Sequence, residues 1–227
     1  MQQAVPPSGE LPGKITTKQF DLGVVTKIEA SGPGTLVLAR GVRGSVAVSA
    51  MPEDHERIEV KADGDTLKLG FKGGMLLHRG PEGDVRYEVT AAAIEEIKLS
   101  DGLVAEVVGL EAKEVKAKLG GGSRLTLGDL RATTFELEAG GGSRVVASGA
   151  VERQKAKLGG GSNYQGTALD SRVVEVDAAG GSEASVRVRE QLKARASGGS
   201  TVSYVGEGVS LDVKTDGGSK LRHVTGV

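Results

Sequence analysis

An all-β fold is what this sequence predicts: a single-stranded, right-handed parallel β-helix with about 18–20 residues per rung. Three observations predict it. The octapeptide Lys-Ala-Lys-Leu-Gly-Gly-Gly-Ser occurs unchanged at Lys116–Ser123 and Lys155–Ser162, with Glu-Leu-Glu-Ala-Gly-Gly-Gly-Ser at Glu136–Ser143 between the copies. The serines that close such segments are Ser123, Ser143, Ser162, Ser182, Ser200 and Ser219, spaced by 20, 19, 20, 18 and 19 residues. Apolar and charged residues alternate before each of them, the period-two signature of a strand with one buried face.

Each rung justifies three short strands. Val115/Ala117/Leu119, Phe135/Leu137/Ala139, Val174/Val176/Ala178 and Leu192/Ala194/Ala196 form the inward row of the first. After the serine the alternation resumes, with Leu125/Leu127, Val145/Ala147, Ala184/Val186 and Val202/Tyr204 facing in. A third segment returns to the next rung through Leu130, Val151, Leu169 and Val209. A leucine-rich repeat needs a Leu-x-x-Leu-x-Leu frame that is missing. A propeller blade needs roughly 40 residues, and here the apolar frame recurs every rung, not every second one. The closing serines are read as a structural ladder that hydrogen-bonds the backbone at each corner.

The outward residues carry a second pattern. Lys116 and Lys118 are followed by Glu136 and Glu138, then Lys155 and Lys157, Glu175 and Asp177, and Lys193 and Arg195. Equivalent positions in a parallel stack lie about 4.8 Å apart, so opposite charges would meet and like charges would repel. The expectation is a charge ladder that sets register, since skipping one rung would stack like on like.

Residues 14–99 read as strand-rich but irregular rungs with a cap, and 100–227 as regular rungs of the same β-helix domain. Strands are expected at Gly23–Ala30, Gly34–Leu38, Gly44–Val48, Arg57–Ala62 and Asp65–Leu69, with a turn at Asp63-Gly64-Asp65 and a loop over Met75–Gly83. Residues 1–13 read as a flexible linker and lack the basic and apolar regions of a signal peptide.

Composition excludes several functions. A formal net charge of −1 gives no field for nucleic acid, and the absence of cysteine removes disulfides and thiolate metal sites. No apolar run is long enough for a transmembrane segment. The Gly-Gly-Gly-Ser segments lack the Lys and the following helix of a phosphate-binding loop, and read as corners. His55, His78 and His223 have no ligand spacing, and no regularly spaced Asp follows the serines, so no cofactor or metal is expected. The carboxylates pair with lysines instead of forming an acid cluster, and Phe135, Tyr164 and Tyr204 fall on inward positions, so no catalytic residues are assigned.

Phe20–Ala30 followed by Ser31-Gly32-Pro33-Gly34, the segment Gly64–Leu69, the serial Gly-Gly-Ser strands and the closing Gly198–Gly206 together resemble the bacterial head GIN domain family of auto-transporter adhesins. The resemblance covers roughly residues 18–224. It implies an extracytoplasmic solenoid, exported or lipid-anchored, in the periplasm, at the cell surface or secreted. It carries over no catalytic residues. The resulting reading is a non-catalytic, adhesin-like binding or surface-structural module for a cell-surface or glycan ligand. A self-assembling scaffold stacked through the solenoid ends is the second reading, with Lys220, Arg222 and His223 at the edge near Leu221–Val227. A polysaccharide-active enzyme is the third.

Overall fold

The computed structural model describes residues 15–72, 81 and 83–225. The linker at residues 1–13, His78 and most of the Met75–Gly83 loop lie outside the described residues. The chain forms β1 (Thr16–Leu22), β2 (Lys27–Ser31), β3 (Thr35–Arg40), β4 (Gly44–Ala50), α1 (Pro52–His55), β5 (Ile58–Asp63), β6 (Thr66–Phe71), β7 (Arg86–Ala91), β8 (Glu96–Ser100) and β9 (Val104–Val108). The regular rungs follow as β10 (Glu111–Leu119), β11 (Arg124–Ala139), β12 (Arg144–Leu158), β13 (Asn163–Ala178), β14 (Glu183–Ala196), β15 (Thr201–Val205), β16 (Ser210–Thr215) and β17 (Lys220–His223).

It is an all-β solenoid of parallel stacked strands. One long strand such as β11 crosses the second face at Arg124–Leu127, shifts register between Leu127 and Leu130, and finishes on the first face at Thr134–Ala139. The shift turns the chain because Asp129 takes a φ of 52° and Gly149 a φ of 129° on the next rung. Every inward residue expected in β10 to β15 is buried, including Phe135, Tyr164 and Tyr204. One apolar interior therefore runs along the axis, and each rung buries its side chains against the next.

The N-terminal rungs are not stacked in chain order. On the first face the sequence of strands is β5, β6, β2, β8, β10, so the rung made by β2 and β3 lies between β6–β7 and β8–β9. After β1, the chain builds the inner rung of β2 and β3, returns outward through β4 to β7 to build the terminal rung, and then passes to β8. Three antiparallel pairings, β1–β4, β4–β7 and β5–β6, close this end. Asp63 pairs with Thr66 across a two-residue turn, with Gly64 at a φ of 61°. Lys18 and Asp21 on β1, with Glu59 and Lys61 on β5, put charge on the outermost strands, which discourages further strand addition. α1 sits there too, its His55 Nε2 3.0 Å from the Thr16 carbonyl oxygen.

Candidate functional site

The corners position everything else on the first face. Five of the six closing serines are buried, and their hydroxyls donate to the carbonyl oxygen three residues back: Ser123 to Gly120, Ser143 to Gly140, Ser162 to Gly159, Ser182 to Ala179 and Ser200 to Ser197, at 2.6–2.8 Å. Between rungs, Ser182 N–H donates to Ser200 Oγ and Ser200 N–H to Ser219 Oγ. The corner glycines form their own row, the last glycine of one rung donating to a glycine of the next: Gly122 N–H to Gly141 O, Gly142 to Gly160 and Gly161 to Gly180.

This stacking fixes two outward columns on the first face. The first runs Lys27, Glu96, Lys116, Glu136, Lys155, Glu175, Lys193, Asp212, alternating in sign throughout. The second runs Lys68, Glu29, Lys98, Lys118, Glu138, Lys157, Asp177, Arg195, Lys214, with like charges adjacent at Lys98/Lys118 and Arg195/Lys214. Lys118 turns to Glu96 at 3.0 Å, while Lys98 holds Glu29 at 2.7 Å. Lys116 approaches Glu136 at 3.8 Å, Lys157 approaches Glu138 at 4.0 Å, Lys193 meets Glu175 at 3.1 Å and Arg195 meets Asp177 at 3.6 Å. The Lys193 hydrogen bond holds Glu175 below the usual carboxylate range, against the opposing effect of burial. Partial burial pushes Glu96 upward, but Lys118 and Lys98 outweigh it and leave its carboxyl below that range.

We take these columns as a register device and expect a specific response. Glu136→Lys together with Glu138→Lys lowers the melting temperature by a few degrees at low salt and by less at high salt. Thermal scans at two ionic strengths check this; equal melting temperatures for both proteins would count against it.

The structure also shows a feature absent from the sequence reading. Beside the second charge column, the next outward position is almost always small: Gly70, Ser31, Ser100, Gly120, Gly140, Gly159, Ala179 and Ser197. With no bulky side chain there, a trough of about 1280 Å³ opens along the first face. It extends from Phe71 to Asp216, about 38 Å at the spacing of stacked strands. The charge column forms one wall, and Leu69, Leu99, Leu119 and Leu158 are exposed to the trough only at their edges. Lys68, Lys98, Lys118, Lys157, Arg195 and Lys214 face it together with Glu29, Glu59, Glu138, Asp177 and Asp216, so it carries both signs.

Elsewhere polar side chains make structural contacts. Gln154 points inward, donates to the Tyr164 hydroxyl at 2.8 Å and accepts from Ser171 at 2.8 Å. Burial raises the Tyr164 phenol. His223 stacks on Tyr204 with ring centroids 4.7 Å apart. Among the described residues no three His, Cys, Asp or Glu side chains gather to hold a metal ion. No described helix is long and apolar enough to cross a membrane.

The model of the family described as "Putative auto-transporter adhesin, head GIN domain" matches residues 25–208. The chain belongs to the head GIN domain family. No curated protein matches it. Among solved structures, a "putative adhesin" from Bacteroides fragilis superposes with a TM-score of 0.83 at 16% identity, covering 95% of this chain and all of that one. A "putative lipid binding protein" from Parabacteroides distasonis gives 0.76 at 13% identity, covering 93% and 97% of the two chains. A "putative adhesin" from Parabacteroides merdae gives 0.69 at 14% identity, again covering 93% and 97%. At these identities the likeness shows the head GIN solenoid fold alone.

Proposed function

We propose that this head GIN domain is a non-catalytic, extracytoplasmic binding module, adhesin-like, whose first face docks an extended glycan of the cell surface. The trough is the observation that carries this reading. It runs unbroken along the solenoid, as a linear polymer requires and a compact metabolite does not. Its wall carries charges of both signs along its length, six basic and five acidic, which suits a hydroxyl-rich chain better than a polyanion. The family description and the name of the Bacteroides fragilis neighbour support adhesion as the purpose.

Gly140 gives the test. A Cβ built there meets nothing within 4 Å, and its φ lies outside the left-handed range, so a large side chain enters the trough without straining the backbone. A glycan array with the native protein identifies a ligand, and Gly140→Trp then weakens that ligand by at least about tenfold with the melting temperature unchanged. Undiminished binding by Gly140→Trp would remove the trough as the site. Release of product from the bound glycan would overturn the non-catalytic part.

A further inference from the structure

The two ends of the solenoid differ, and the difference specifies a partner. The end carrying β1, β4, β5 and α1 is closed by antiparallel strands and edge charges. At the other end, among the described residues, β16 pairs only with β14, and β17 only with β15. Leu211 and Val213 continue the inward column of Leu192 and Ala194, yet Leu211 is 47% exposed and Val213 and Leu221 are only half-buried. A core row is thus left open at a strand edge.

We propose that this edge binds a second copy of the same chain, with β16 antiparallel to β16 and Val213 on the two-fold axis. The backbone selects the register. Asp216 N–H donates to Ala196 O, so backbone groups of the even-numbered residues of β16 face β14. By the alternation of a strand, those of Leu211, Val213 and Thr215 point away from β14, toward the open edge. Centring the pair on Val213 matches these free groups with each other: Val213 with Val213, and Leu211 with Thr215 of the second copy. The pairing spans the whole of Ser210–Asp216 and keeps Leu211 and Val213 facing the interior of both copies.

The charges select the same register. It sets Asp212 opposite Lys214 of the second copy, twice by symmetry. Centring on Asp212 or Lys214 would instead oppose like charges. Lys214 stacks on Arg195 and makes no salt bridge among the described residues, and a second copy supplies it with a carboxylate. Because the far end is closed, the contact is isologous and stops at two copies.

Sedimentation of the 227-residue chain across concentrations reads this directly. A dimer is expected, and Lys214→Asp raises its dissociation constant by about tenfold, because two attractive pairs become repulsive. Exchanging the charges, Asp212→Lys with Lys214→Asp, restores the pairs and the native constant. The chain has no cysteine, so Val213→Cys oxidises to a single covalent dimer if the two positions meet across the axis, about 5.5 Å apart. A native chain that stays monomeric at high concentration, a mass that grows past two copies, or failure of the exchanged pair to recover would each overturn the proposal. Lys214 and Asp216 also line the end of the trough, but sedimentation is read without glycan and Gly140→Trp leaves β16 untouched, so the two readings fail separately.

Discussion

Gly141→Val is expected to lower the unfolding free energy by about 2–4 kcal/mol, while Gly140→Val, one residue away in the same Gly-Gly-Gly-Ser segment, stays within about 0.5 kcal/mol of the native protein. Three consecutive glycines look interchangeable in the sequence, and the structure separates them. Gly141 has a φ of 60°, where a β-branched residue is a genuine outlier. A Cβ there lies 3.2 Å from the backbone nitrogen of Gly121 on the neighbouring rung, so the added branches press on main chain that cannot move aside. The same contact recurs along the stack, with Gly160 against Gly141 at 3.1 Å and Gly180 against Gly160 at 3.3 Å. Gly140 has open space over its α-carbon and no positive φ. Urea unfolding of the two variants checks the contrast; equal losses would mean that the corner glycines are not held by their stacking.

The row of corner glycines also shows how far the sequence can be read. Strand alternation and the serine period identify the inward residues of β10 to β15, because each rung buries its side chains against an equivalent one. The order of the N-terminal rungs was not legible from alternation, since β2 meets β6 and β8 through contacts distant along the chain. A signal did exist in the charges. Lys27 and Glu29 complement Glu96 and Lys98 position by position, as they must if β2 lies directly on β8. The trough is not legible for another reason: Gly120, Gly140 and Gly159 read as parts of corners in the sequence, and a groove is signalled by side chains that are missing. Gln154 escaped because it breaks the apolar frame, and only the fold shows Tyr164 and Ser171 converging on it. A Cβ at Gly166 would fall 2.5 Å from the Tyr164 hydroxyl, so that glycine is explained by the ring it admits.

Phe135→Ala is the second large effect, an expected loss of about 3–5 kcal/mol. The ring is fully buried and stacks between Val115 on one rung and Gln154 on the next. The interior cannot close over the space it leaves, because rung spacing is held by backbone ladders on either side of β11. The cavity would open beside Gln154, whose amide is committed to Tyr164 and Ser171. A water admitted there would compete for those hydrogen bonds, so partial hydration offers little recovery. Phe135→Leu keeps most of the volume and is expected to cost about 1–2 kcal/mol. In a solenoid each rung contacts only its neighbours, so the damage should be local. Amide exchange in Phe135→Ala is expected to accelerate most in β10, β11 and β12 and least in β15 and β17. Uniform acceleration along the chain would show instead that the rungs unfold as one unit, and that the ring at position 135 stabilises all of them together.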